Sequence, residues 1–274
     1  VPARTADWLV RAPGDIERIE ARFSGAAFAP HRHDTYAIGV TLEGVQGFDY
    51  RGAARQSLPG QMVVLHPDEL HDGRAGGGEG TFRYRTAYVS PAVIQDILGG
   101  CGLPFVAGGV CGDPRLSAAV WALLGDLERP LAGLELQDAL YDLARALQAV
   151  AGGARPLGPH NRQAAARSRD YIEANLENSL SLEDLERVTG HDRWRLSRDF
   201  RAMFGASPYR YLILRRLDRA RDMLLAGVSG AQAAHGCGFS DQSHFCRQFK
   251  KAFGLTPEAW LGAMRRAHDH SIPA

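Results

Sequence analysis

Gly238-Phe239-Ser240-Asp241-Gln242-Ser243-His244-Phe245-Cys246-Arg247-Gln248-Phe249-Lys250-Lys251-Ala252-Phe253-Gly254-Leu255-Thr256-Pro257 decides the fold of the second half of this chain, because most of it has occurred once before. At an offset of 49 residues stands Trp194-Arg195-Leu196-Ser197-Arg198-Asp199-Phe200-Arg201-Ala202-Met203-Phe204-Gly205-Ala206-Ser207-Pro208. Arg198/Arg247, Phe200/Phe249, Phe204/Phe253, Gly205/Gly254 and Pro208/Pro257 are identical. Self-similarity at a fixed offset means one supersecondary unit used twice.

The unit follows from local chemistry. Ser181 is a good N-cap with Asp184 at the third helical position, and Leu182, Leu185 and Val188 then share a face before Thr189-Gly190 ends the helix. A second helix is expected from Asp192, burying Leu196, Phe200 and Phe204 and stopping at Gly205. Short helix, glycine-containing turn, second helix is helix-turn-helix geometry. The outward face of the second helix carries Arg193, Arg195, Arg198 and Arg201. In the later copy Gly238-Phe239 makes the turn, and Ser240 is expected to cap a helix that shows Gln242, Ser243, His244, Arg247, Lys250 and Lys251. Arginine bonds two acceptors of guanine at once, glutamine does the same on adenine, and cations near helix ends neutralise phosphates. A solvated cationic face explains one such helix, but two copies in the same registration argue against it. Gly236 and Gly238 flank Cys237, so the second turn is expected to be the looser one.

Between the copies, Ser207-Pro208 starts a long helix through Tyr211, Leu214, Leu217 and Ala220 to about Leu225. Eighteen residues span about 27 Å, near the ~34 Å that separates successive major grooves on one DNA face. The module therefore reads as two non-identical half-site readers for two adjacent major grooves of double-stranded DNA. Upstream, Ala151 to Pro159 holds three Gly and two Pro and marks the boundary. Residues 1–150 are expected to form one domain, 151–161 a linker and 162–267 the helical module.

The first domain has a different period. Tyr36, Ile38, Val40 and Leu42 alternate on one face, and so do Phe82, Tyr84 and Tyr88. Short alternating runs separated by Gly and Pro suggest a barrel or sandwich, with Gly73 to Gly78 as a loop. After Pro91 the spacing turns helical. Leu136, Leu140, Leu143, Leu147 and Val150 form a heptad seam, which suits either a helix packed on its own barrel or a hairpin offered to a second copy. The fold class is thus a two-domain one: an all-β barrel with a helical hairpin, then an all-α domain with two helix-turn-helix motifs joined by a long helix.

Composition supports the division. The 274 residues carry a net charge of +1, yet residues 1–158 hold 14 Arg, no Lys and 18 acidic side chains, while 159–274 hold 18 basic and 13 acidic ones. One half is built to meet a polyanion and the other is not. No apolar run approaches the ~20 residues of a membrane span. No apolar segment opens the sequence, and four cysteines without a C-x-x-C pair suggest free thiols, so a cytoplasmic protein is expected. The excess of Arg over Lys, 30 to 2, is read as genomic base composition.

The quoted stretch from Gly238 to Pro257 resembles the signature of the AraC/XylS transcriptional regulators, over roughly residues 162–266. The resemblance implies that Trp194, Arg195, Ser197 and Arg198 enter one major groove, and Gln242, Ser243, His244, Cys246 and Arg247 the next. His31-Arg32-His33, Leu42-Glu43-Gly44, Leu58-Pro59-Gly60, His66-Pro67 and His71 resemble the cupin-type barrel that many such regulators place first. His31, His33 and His71 resemble three ligands of a metallo-cupin, with His66 a rival for the third place. The glutamate that such a site uses is missing, since Tyr36, Ala37 and Ile38 stand where it belongs. No metal and no cofactor are expected.

The candidate ligand residues are His31, His33, Tyr36, Arg51, His71, Tyr84 and Arg85, and the arginines suggest an amino acid or other acidic metabolite, with a sugar as the other option. The expected function is effector-controlled, sequence-specific transcriptional regulation acting through RNA polymerase. A homodimer through helices within 113–150 is expected, and no enzyme activity. The competing reading is a cupin-type metalloenzyme with a DNA-binding appendage.

Overall fold

The computed structural model describes residues 8–12, 14–76, 80–99, 101–153, 161–253 and 255–262. Most of the expected linker, Gly77 and Gly78, Gly254 and the end of the expected helical module therefore lie outside the described residues, and Gly73 to Ala75, expected in a loop, instead end a strand, His71–Ala75, paired on both sides.

Among the described residues, ten strands make two sheets. The larger, in the order β1 (Trp8–Ala12), β2 (Glu17–Ser24), β9 (Thr81–Val89), β4 (Tyr36–Glu43), β7 (Met62–Leu65), β10 (Val110–Cys111), faces a smaller sheet of β3 (Ala26–His31), β8 (His71–Ala75), β5 (Gln46–Tyr50) and β6 (Ala53–Ser57). All strand pairings within them are antiparallel.

Side chains alternate across a strand, so each strand of the larger sheet serves two cores. Tyr36, Ile38 and Val40 of β4, with Met62, Val64, Ala87 and Val89, pack against α1 (Pro91–Ile97), α2 (Pro114–Leu124) and α3 (Gly133–Val150). Ala37, Val63 and Leu65 point the other way, into the barrel, against Phe48 and Tyr50. Further along the interior lie Ile19, Ala21, Phe23, Phe82 and Tyr84. The heptad seam of α3 packs on its own barrel: Leu136, Leu140, Leu143 and Leu147 are all buried in the first of these cores. Two arginines tie the hairpin down. Arg18 donates to the carbonyls of Leu123, Asp126 and Arg129, and Arg85 to those of Leu124 and Gly125, placing cations at the carbonyl end of α2.

The helical domain contains α4 (Arg162–Ala174), α5 (Leu182–Thr189), α6 (Arg193–Phe204), α7 (Pro208–Leu225), α8 (Gly230–Gly236) and α9 (Gln242–Phe253). Ser181 and Asp184 form a capping box, Asp192 caps α6, and Ser207 caps α7 ahead of its first-turn proline. The expected cap at Ser240 is corrected by one residue: the Asp241 carboxylate accepts the His244 N–H at 2.6 Å, and Ser240 Oγ donates to that carboxylate. Each helix-turn-helix has its own core, one around Leu196, Phe200 and Phe204, the other around Phe239, Phe245 and Phe249. Helix α7 gives Tyr211 and Leu212 to the first and Ile213, Leu214 and Leu217 to the second. The second turn is not loose. Gly238 has φ +75°, and a Cβ there would stand 2.7 Å from the carbonyls of Leu176 and Glu177. Glycine is needed at that position for close backbone approach as well as for its left-handed conformation.

The helical domain sits directly on the barrel. Gly205 packs so closely on Pro67 that a Cβ would lie 2.8 Å from the proline ring. Gln95 of α1 bonds the Ala202 carbonyl, and Arg210 bonds Asp68 at 3.1 Å.

Candidate functional site

The exposed face of α6 begins with Trp194, which is 78% exposed. Arg195 and Arg198 are also exposed and share the buried Asp199, at 4.0 and 3.9 Å. That carboxylate also accepts the Asn161 N–H. Asp199 thus holds the two guanidiniums near the helix surface and leaves their outer edges free for a partner. Arg193 differs. Its guanidinium and its backbone N–H all bond the Glu186 carboxylate of α5, so it staples the turn instead of presenting a free fork. Ser197 is half-buried, beside these groups.

On α9, Gln242, Ser243, Arg247 and Lys250 are exposed. His244 is half-buried, edge-on to Phe239 at 5.6 Å and within bonding distance of Ser240 Oγ and Gln248 Nε2. Cys246 is half-buried against the second core, and burial pushes its thiol pKa up. Of the expected reading residues, Trp194, Arg195, Arg198, Gln242, Ser243, Arg247 and Lys250 are the ones with open surface. Arg193, His244 and Cys246 have structural partners already.

The second feature is a cavity of about 600 Å³ between the barrel and the helical domain. Its barrel wall includes Phe23, Phe28, Tyr84 and Tyr88, and its helical wall Leu214, Phe253 and Trp260. A belt of ion pairs crosses its edge. Arg11 meets Glu17 at 3.1 Å, Glu17 meets Arg221 at 3.4 Å, Arg221 meets Asp218 at 3.4 Å, Asp218 meets Arg215 at 2.7 Å, and Arg215 meets Asp34 at 2.5 Å. Arg221 also lies over the rings of Phe253 and Trp260, at 5.1 and 5.4 Å. Burial and the nearby Asp34 and Glu17 push the Asp218 carboxyl up to about 6.

His31 and His33 line the cavity, and His71 stands behind them with ring centroids 4.3 and 4.7 Å away. Each ring sets its Nδ1 against a backbone carbonyl, of Ala29, Thr35 and Glu69 respectively, at 2.7 to 2.9 Å. These carbonyls select the tautomer with the proton on Nδ1 and leave Nε2 as an acceptor. Burial lowers all three pKa values, that of His33 to about 3, so the cluster is neutral. No group of three or more His, Cys, Asp or Glu side chains arranged to hold a metal ion occurs among the described residues. His66 is a separate structural residue: it accepts the Val106 N–H at Nε2, meets Tyr50 Oη through Nδ1 and stacks on Phe105.

Of the seven expected ligand residues, His31, His33 and Tyr84 line the cavity and His71 supports them. Tyr36, Arg51 and Arg85 do not. Tyr36 shares the parity of Ile38 and Val40, so it points at the helices and bonds the Pro104 carbonyl. Arg85 follows Tyr84 in a strand and faces the opposite side, towards Glu20 and α2. Arg51 lies in the β5–β6 turn, paired with Glu69 and over Phe105. Phe23, Phe28, Tyr88 and the belt residues of α7 escaped sequence reasoning. The alternation Ile19, Ala21, Phe23 was a usable signal for the barrel wall, but nothing local marks which face of α7 meets a distant domain.

The comparisons agree with both halves. Residues 13–144 match the family described as AraC-like ligand binding domain, and residues 185–263 match a helix-turn-helix domain. The chain is 27% identical to the HTH-type transcriptional regulator YbfI of Bacillus subtilis over 235 residues, which is 82% of this chain and 85% of YbfI. It is 31% identical to the transcriptional activator AarP of Providencia stuartii over 91 residues, 33% of this chain and 67% of AarP. Two further transcriptional regulators are matched over only 36 and 38% of their own length. Among solved structures, ToxT of Vibrio cholerae has the same two-domain fold: TM-score 0.64 at 11% identity, covering 90% of this chain and 98% of ToxT. ToxT has also been solved with an unsaturated fatty acid bound. The metalloenzyme reading finds no support among these relatives.

Proposed function

The chain belongs to the AraC family of DNA-binding transcriptional regulators with an N-terminal ligand-binding domain, and from that premise we propose that its effector occupies the cavity between the two domains. The observation that carries this reading is the double wall: a molecule held there touches Phe23 and Tyr84 of the barrel and Leu214 and Trp260 of the helical domain at once. Binding energy that depends on both walls depends on the angle between them, so the ligand favours one domain arrangement over another. That ToxT binds a fatty acid supports an effector in a protein of this fold.

DNA is read by Trp194, Arg195, Ser197 and Arg198 on α6 and by Gln242, Ser243, Arg247 and Lys250 on α9, in two adjacent major grooves. The domains divide at 151–161, and the two matched family stretches lie on either side of it. The regulator works in the cytoplasm and recruits RNA polymerase from the bound site. A homodimer through residues 113–150 would use Leu134 and Tyr141, which are 72 and 54% exposed on α3, because the heptad seam is already filled. Among the described residues no helix is long and apolar enough to cross a membrane.

A thermal-shift screen of metabolites tests the effector site. A ligand that raises the Tm of the parent should raise that of Leu9→Trp clearly less, because the larger side chain intrudes on the cavity. A hit that stabilises both proteins equally binds elsewhere and overturns the assignment.

A further inference from the structure

The charge around the cavity names the class of molecule it takes. Its lining holds five carboxylates, Asp15, Glu17, Asp34, Asp218 and Asp222, against three guanidiniums, Arg11, Arg215 and Arg221. The histidines do not redress the balance, since burial keeps His31 and His33 neutral. Each of the three guanidiniums is bonded to at least one of Glu17, Asp34 and Asp218. Asp15 and Asp222, both exposed at the rim, carry no such partner among the described residues. An incoming carboxylate could still reach unpartnered N–H groups such as Arg215 Nε and Arg221 Nε, but on guanidiniums whose charge the protein carboxylates already balance, and it would face an excess of two negative charges. A cation meets the opposite field.

The walls suit the same ligand. Phe23, Phe28 and Tyr84 stand together, with centroids 4.7 Å apart for Phe23 and Phe28 and 6.2 Å for Phe23 and Tyr84. On the facing wall Phe253 and Trp260 already hold the Arg221 guanidinium against their rings, which shows that these faces accept a positive charge. Aromatic faces attract cations through the ring quadrupole, most strongly where water is excluded. We infer that the cavity receives an amphipathic organic cation, an amine or quaternary ammonium on an apolar body, and not an acid. The apolar body lies on the barrel aromatics, and the charged head lies towards the rim between Asp15 and Asp222. The inference rests on the reading that this cavity is the effector site, and it replaces the acidic metabolite that the sequence suggested.

Three probes with one body and different heads test it: 4-phenylbutylamine, 4-phenylbutanol and 4-phenylbutyrate, titrated calorimetrically into the full-length protein near neutral pH. The amine should bind about tenfold or more tighter than the butyrate, with the alcohol between them. The advantage of the amine should shrink with added salt and in the Asp15→Asn/Asp222→Asn double variant, whose changes leave the ion-pair belt intact. All three should bind several-fold more weakly to Leu9→Trp, whose larger side chain intrudes on the cavity. If the butyrate or the alcohol binds as tightly as the amine to the parent, and Leu9→Trp weakens it, the cation class is wrong while the cavity stands. If Leu9→Trp binds all three like the parent, or the parent binds none, the cavity assignment falls and the class with it.

Discussion

Arg215, on the helix that joins the two DNA-reading motifs, meets Asp34, in the loop after β3, at 2.5 Å across the domain boundary. Asp34 is buried, and Arg215 bonds Asp218 at the same time. The domain that would sense and the domain that reads are therefore fastened by a charged contact at the edge of the cavity.

Removing one partner of that contact should cost more than removing both. Asp34→Asn leaves a largely buried guanidinium with half its compensation, and stability should fall by about 2 kcal/mol in urea titrations. Arg215→Met combined with Asp34→Asn should recover a good part of the loss. A double-mutant cycle without coupling would show that the contact does not hold the domains together.

On the reading faces, Arg198→Ala and Arg247→Ala should each weaken specific DNA binding by about 1–3 kcal/mol, measured on a duplex selected from a random pool at fixed salt. Arg193→Ala should behave differently. Because its side chain is bonded to Glu186, the main effect should be a lower Tm, with a smaller loss of DNA affinity. Equal losses of affinity from all three would refute the distinction.

The two faces of α3 should separate cleanly. Leu143→Ala empties a fully buried position and should destabilise by about 3 kcal/mol. Tyr141→Asp changes an exposed residue and should leave the Tm nearly unchanged while weakening self-association in sedimentation experiments. A dimer insensitive to Tyr141→Asp would place the interface elsewhere.

Acid should unfold the protein through its histidines. His33 and His66, held down to about 3 and about 4 by burial, bind fewer protons folded than unfolded. Their contribution is whole above the ordinary value of 6.5 and is lost as the pH falls towards the folded values. Asp218 has the opposite sign. With its carboxyl pushed up to about 6, its contribution is present below the ordinary 3.8 and is lost as the pH rises through 6. Urea midpoints should therefore drop between pH 7 and pH 4.5, and more steeply in Asp218→Asn, which lacks the opposing group. A shallower drop in that variant would contradict the assignment.

Sequence alone determined what repeats and what is local. The duplication from Trp194 and Ser243, the capping box at Ser181 and Asp184, the stop at Gly205 and the start at Ser207-Pro208 all depend on residues within a few positions of one another. Such signals act through the backbone, so they can be read without knowing the rest of the fold. Strand parity was legible too, and it already placed Tyr36 with Ile38 and Arg85 opposite Tyr84. Tyr36 and Arg85 face the side of the larger sheet away from Tyr84, so the three cannot line one pocket. Only the tertiary structure decided where the cavity lies. Its belt joins Glu17 to Arg221 and Asp34 to Arg215, partners about 200 residues apart whose meeting is fixed by how the helical domain seats on the barrel. The near-neutral sum of charges could not show this, because an ion pair across an interface depends on distance and burial, which no residue count contains.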